Sequence, residues 1–171
     1  YLIPNISHPS VPVGSDETGN EVEKKWGEIK EFDFEPKNHV DLATELDLLD
    51  LERGAKVSGS RFYFLKNQLV RLEFALVQYF MDFLEKKDFT PIMVPMLVRE
   101  TAMEGTGFFP AEKNEIYSVN PEEDDLYLIG TSEVPIAGYH QNEIIDQSEL
   151  PKKYVGFSTC FRREAGSHGK D

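Results

Sequence analysis

The sequence predicts a domain that mixes helices with short strands, on three observations. One stretch carries apolar residues at unbroken helical spacing, several short apolar runs are separated by turn formers, and a last run alternates between two chemically different faces. The bulk numbers agree with a folded domain, since 171 residues with a 40% hydrophobic fraction, 12 Phe and 7 Tyr can enclose a core. A formal net charge of −13 argues against unaided binding of nucleic acid, which needs basic side chains to neutralise phosphates. The single cysteine, Cys160, excludes an intrachain disulfide and a CxxC metal site and suits a reducing compartment. The chain shows no run of 18 apolar residues and no charged-then-apolar leader, so the expectation is a soluble cytoplasmic protein without a membrane partner.

Taken in order, the opening "YLIPNISHPSVPVG" carries Pro4, Pro9, Pro12 and Gly14, which forbid a helix and predict extended chain. The polar loop "SDETGNEVEKK" leads into "WGEIKEFDF", whose loose alternation of Ile29, Phe32 and Phe34 predicts an edge strand. Asn38 is placed to cap a short helix in which Val40, Leu42, Leu46 and Leu49 recur at helical spacing and which Gly54 ends. The strongest helix is "RFYFLKNQLVRLEFALVQYFMDFLEKKD", with Ser60 as its cap. Its apolar residues Leu65, Leu69, Leu72, Leu76, Tyr79 and Phe83 step by 4, 3, 4, 3 and 4. Phe62, Phe64, Phe74 and Phe80 widen that stripe, so the helix is either deeply buried, the commoner outcome, or meets a second subunit. Pro91 and Pro95 in "FTPIMVPML" confine that strand to a sheet edge or a dimer seam, because each removes a ladder donor. "EGTGFFP" reads as a glycine loop, and "EIYSV" and "LYLIG" as short strands about the turn "NPEEDD". "TSEVPIAGYHQNEI" reads as a helix capped by Thr131 or Ser132, with Pro135 in its first turn, and "KKYVGFSTCFRRE" as a last strand.

Period-two alternation divides that last strand. Val155, Phe157, Thr159 and Phe161 form a core face, while Gly156, Ser158, Cys160, Arg162 and Glu164 form a face of small residues ending in a cation and an anion. Small side chains leave a floor for a flat ligand. Arg162 offers paired donors to phosphate or carboxylate oxygens, and Glu164 accepts from an amino group, which suits a ligand such as ATP. The bland alternative is a solvated ion pair at a strand end. Thr131, Ser132 and Glu133 carry the same ambiguity, either a helix cap or acceptors for a small ammonium group. His168 stands in a polar loop without a triad partner, and His8, His39, His140 and His168 show no metal-ligand spacing, so no metal site is expected.

Together, "IPNISHPSVPVG", "HVDLATELDLLDLERGAKVSGSRFYFL", "PIMVPMLV", "EGTGFFP", "LIGTSEVPI" and "CFRREAGSHGKD" resemble the seryl-tRNA synthetases, a class II aminoacyl-tRNA synthetase family, over nearly all 171 residues. The resemblance implies an α+β fold, the class II antiparallel sheet flanked by helices. Residues 1–60 would form an extended segment, edge strand and short helix. Residues 61–171 would form the catalytic core, with motif 1 at about 61–97 building a homodimer interface, a serine-binding loop at 131–133 and the first half of motif 2 at about 153–171. Arg162 matches the arginine that holds the α-phosphate of ATP and the serine carboxylate. Arg163 falls in the same ATP-binding triplet, and Glu164 matches the reader of the adenine amino group. Thr131, Ser132 and Glu133 match the loop at the amino end of L-serine, and Ser167 and His168 match the mobile loop near the tRNA acceptor end. Implied too are Mg²⁺ arriving with ATP, and tRNA(Ser) as the partner of the full-length enzyme. The N-terminal tRNA-binding arm and motif 3 lie outside the match, so the expectation is a fragment that stops within motif 2 and is inactive alone. Two positions depart from the family pattern: Asp88 stands where Gly is usual, and Phe108 where a polar residue is usual, neither expected to touch a ligand. Two rivals share this fold: a paralogue that activates an amino acid for a carrier protein, and a non-catalytic dimerisation or regulatory module.

Overall fold

The computed structural model describes residues 6–110 and 113–163. Contacts divide the chain into two compact units, one reaching to Arg71 and the other running from Leu72 onward. In the first unit, residues 6–37 are exposed and largely irregular, with a 3-10 turn at Glu17–Gly19. The expected edge strand in "WGEIKEFDF" does not form. Among the described residues no strand runs beside it to supply ladder partners, and Trp26 and Ile29 stand almost fully in solvent.

Helix α1 (His39–Glu45) starts where predicted, with the Asn38 side chain accepting from the Asp41 amide at 2.9 Å. It does not continue to Gly54. The chain breaks at Asp47, whose φ is 54°, passes through strand β1 (Leu49–Asp50), and restarts as α2 (Leu51–Ser58) under an Asp50 cap. Gly54 lies buried inside α2, because a Cβ there would stand 2.3 Å from the carbonyl oxygen of Phe62. Gly59, at φ 100°, follows the last helical residue. Strand β2 (Phe64–Leu65) pairs antiparallel with β1.

This ladder also shortens the long helix. Ser60 is not its cap, and Phe62, Phe64 and Leu65 lie outside it. The Lys66 amide donates to the Leu48 carbonyl at 2.8 Å and the Asn67 side chain to the Asp47 carbonyl at 3.0 Å, so helix α3 spans Asn67–Glu85. The predicted stripe is present, yet no α3 residue is buried. Leu72, Leu76, Tyr79 and Phe83 are 51%, 49%, 61% and 44% exposed, so core burial within this chain is not what the stripe serves. The helix closes with the Phe89 amide donating to Leu84 and the Asp88 amide to Glu85, a Schellman arrangement with Asp88 at φ 64°. The departure from Gly at this position therefore falls on a left-handed residue.

In the second unit, β3 (Thr90–Met93) pairs with β7 (Tyr154–Phe157) in parallel, placing Ile92 opposite Gly156. Thr90 donates to the Lys153 carbonyl at 2.9 Å, so the neighbouring Pro91 nitrogen faces the outer edge, where a missing donor is harmless. Strands β4 (Leu97–Val98), β5 (Ser118–Val119) and β6 (Leu126–Leu128) form an antiparallel sheet in the order β4-β6-β5. Helices α4 (Glu100–Gly105) and α5 (Glu133–Gly138) pack on each other. Met103, Ile129 and Val134 are fully buried, with Val94, Val98, Phe109 and Ile116 around them. Antiparallel strands and flanking helices agree with the expected α+β class, while the β3–β7 pair adds a parallel ladder. Among the described residues no helix is long and apolar enough to cross a membrane.

Candidate active site

The site forms where the chain leaves β6 and β7. After β6, Ile129 donates its amide to the Met96 carbonyl at 3.0 Å and accepts from the Phe161 amide at 2.8 Å. Two residues on, the Arg163 amide donates to the Glu115 carbonyl at 2.8 Å. The terminal strand is thus shorter than its alternation suggested. Residues 158–163 are not part of a regular ladder, but these backbone bonds tie them to Ile129 at the end of β6 and to Glu115 ahead of β5. Buried Gly130 follows Ile129, and the Arg162 Nε lies 3.5 Å from its carbonyl oxygen. A Cβ on Gly130 would lie 3.5 Å from the Phe108 ring and 3.6 Å from Arg162 Nε, so ring and guanidinium share the space above this glycine. Phe108, expected to stand apart from the ligand contacts, therefore lines the same spot as Arg162.

Thr131, Ser132 and Glu133 come next in the chain, which brings them beside Arg162. The Thr131 hydroxyl accepts from the Glu133 amide at 3.3 Å, so the capping role falls to Thr131. Ser132 makes no capping bond, and its hydroxyl stands 2.7 Å from that of Ser158. Glu133 is exposed, as are Arg162 and Arg163. Glu164, Ser167 and His168 lie outside the described residues.

The face of small residues is not the open floor expected of it. A Cβ at Gly156 would stand 2.7 Å from Ile136 Cδ1 and 3.3 Å from Ser132 Cβ, so Gly156 seats α5. Cys160 is exposed. On the opposite face, expected to be core, Val155 and Phe157 line an apolar groove of about 240 Å³ with Leu76, Val77 and Phe80 of α3. The floor that does lie under Arg162 is Gly130. It escaped the sequence reading, although a glycine directly after a strand and before Thr-Ser-Glu was a visible signal.

A guanidinium beside a glycine, with a hydroxyl and a carboxylate next along the chain, can hold an anionic group next to an ammonium group. Residues 116–170 match the tRNA synthetase class II core domain (G, H, P, S and T). The serine–tRNA ligase of Nitrosopumilus maritimus (strain SCM1) is 48% identical over 171 residues, all of this chain and 40% of that protein. That of Thermosipho melanesiensis is 52% identical over 167 residues, 97% of this chain and 39% of that protein. The crystal structure of seryl-tRNA synthetase from Pyrococcus horikoshii complexed with ATP superposes at a TM-score of 0.91 with 45% identity, covering 98% of this chain and 42% of that one. The cytoplasmic serine–tRNA ligase from Naegleria fowleri in complex with AMP gives 0.89 with 41% identity, over 98% of this chain and 40% of that one. The chain thus spans about two fifths of the length of the curated relatives it matches. From end to end, it is homologous to the serine–tRNA ligases and carries the core fold of the class II aminoacyl-tRNA synthetases.

Proposed function

We propose that the protein carrying this chain is a serine–tRNA ligase and that these residues form part of its activation site. The observation that carries the reading is the placement of Arg162 over Gly130, which Thr131 and Glu133 follow along the chain, in a chain homologous to such ligases throughout. The serine carboxylate attacks the α-phosphorus of ATP, the bond to the bridging oxygen breaks, and pyrophosphate leaves with that electron pair. The terminal ribose hydroxyl of tRNA(Ser) then attacks the seryl carbonyl, AMP leaves, and the hydroxyl proton is lost to solvent or phosphate.

The chain's own residues align and neutralise rather than transfer protons. Arg162 bridges the serine carboxylate and the α-phosphate, and its charge opposes the negative charge growing there. Glu133 and Thr131 receive the serine ammonium, with Ser132 between them. Arg163 and Glu164 are assigned the remaining nucleotide contacts, and Ser167 and His168 a role at the tRNA acceptor end. Mg²⁺ would arrive with the nucleotide and offset the charge of its phosphates. In this reading the core occupies 61–171, with motif 1 at about 61–97 and motif 2 from about 153, and 1–60 leads into it. The exposed stripe of α3 meets a second copy in a homodimer, and the protein works in the cytoplasm.

Serine-dependent ATP–pyrophosphate exchange tests the reading, followed by charging of tRNA(Ser) against a phosphopantetheinyl carrier. Arg162→Lys keeps the charge but loses the planar fork, and is expected to lower kcat/KM about 100-fold or more. Exchange at the unaltered rate in that variant, or transfer to the carrier in place of tRNA, refutes it.

A further inference from the structure

We infer that Ser132 and Ser158 are a positioning pair, whose hydroxyl–hydroxyl bond sets the offset between the 131–133 loop and the segment bearing Arg162; this rests on the functional reading above. Three successive same-face residues of β7 and its extension meet three residues spaced four apart along α5 and its flanks. Tyr154 OH lies 2.8 Å from His140 Nε2, Gly156 seats Ile136, and the Ser158 hydroxyl lies 2.7 Å from that of Ser132. Four residues of helix rise about 6 Å and two residues of strand about 6.6 Å, so the two repeats stay in step over this length.

The stripe 132, 136, 140 therefore lies antiparallel on 158, 156, 154, and a slip of α5 would break the contacts together. The far end is held by the imidazole, which the Glu143 carboxylate approaches from its other side at 2.6 Å. At the near end the two serines make the side-chain hydrogen bond between the helix start and the strand extension, and it is the end that matters for the ligand. Ser132 sits between Thr131 and Glu133 and spends its hydroxyl on Ser158 instead of on a helix cap. Arg162 does not depend on this bond, because the Phe161 and Arg163 amides fix its backbone to Ile129 and Glu115, both at 2.8 Å. Loss of the serine pair should therefore release the amino-acid half of the site and leave the phosphate half in place.

The test is the KM for serine and for ATP in pyrophosphate exchange by the protein that carries this chain, with Ser132→Ala, Ser158→Ala, their combination and Ser158→Thr. Each alanine variant is expected to raise the serine KM about 3- to 10-fold and to change the ATP KM by less than about twofold. The double variant should be no worse than the weaker single one, since both remove the same bond. Ser158→Thr, which keeps the hydroxyl, should hold the serine KM within about twofold. Additive losses, equal rises in both KM values, or a lowered melting temperature with unaltered serine KM each overturn the pair's role. Absence of exchange in the unaltered protein overturns the functional reading and this role with it, whereas exchange with unaltered serine KM in both alanine variants overturns the role alone.

Discussion

Replacing Gly54 with Ala sets two physical rules against each other. Inside a helix the change removes the backbone entropy penalty of glycine, and propensity alone predicts a gain of about 1 kcal/mol. The structure predicts the opposite sign. The added Cβ would lie 2.3 Å from the Phe62 carbonyl oxygen and 2.6 Å from both the Phe62 carbonyl carbon and Tyr63 Cα. All three are backbone atoms, so no side-chain rotation relieves the overlap, and the segment before β2 must move by roughly 1 Å relative to α2 to restore van der Waals contact. Overpacking of this kind costs about 1–3 kcal/mol, and here the upper part of that range applies because backbone must shift. Net of the propensity gain, the variant should be less stable by about 2 kcal/mol, a fall in Tm of roughly 4–8 °C. Thermal and urea unfolding followed by far-UV circular dichroism measure it, with amide hydrogen exchange in α2 locating the effect. A Tm at or above that of the unaltered protein would show that α2 does not press on residues 62–63, and the close approach would have to be abandoned.

Other outcomes follow from the same geometry. Asp88→Gly places the residue that tolerates a φ of 64° at the end of α3, so stability should rise by about 0.5–1 kcal/mol, while Asp88→Val should lower it; the reverse order in unfolding midpoints refutes the Schellman reading. Tyr79 and Phe83 stack at 6.3 Å on the exposed face of α3, and Tyr79→Asp with Phe83→Glu should convert a dimer to a monomer in light scattering. An unaltered mass would count against α3 as the contact of the proposed homodimer. The Asp50 carboxyl is held below its ordinary 3.8 by the Arg53 amide it caps and by the Arg53 guanidinium. A folded value below the unfolded one means that this stabilisation is fully present above pH 3.8 and is lost as pH falls through the lowered value. Asp50→Ala should therefore lower Tm near neutral pH, with the gap closing below pH 3.8; a gap independent of pH counts against the ion pair.

The residues reveal unequal shares of this molecule. Asn38 as a helix cap, the apolar stripe of α3 and the edge position of Pro91 were all legible, because each depends on neighbours a few residues away or on the side chain itself. Gly54 was misread as a helix end, since its use depends on Phe62, which approaches only once β1 and β2 pair. The same ladder claims Phe64 and Leu65 from a helix whose spacing included Leu65 without a break. Gly156 and Ser158 offered a plausible ligand floor on period alone, and only the seating of α5 showed what covers them.

What this sequence determined by itself is therefore local: where α1 starts, which face of α3 is apolar, and that a proline stands on the outer edge of β3. Tertiary structure alone decided which strand lies beside β7, that Gly130 rather than Gly156 lies under the guanidinium, and that α3 keeps its apolar face in the open. The physical reason is range. Propensity and periodicity report the free energy of a residue among its chain neighbours, whereas ladder partners and close backbone approaches are set by segments distant in sequence that meet only when the chain is folded.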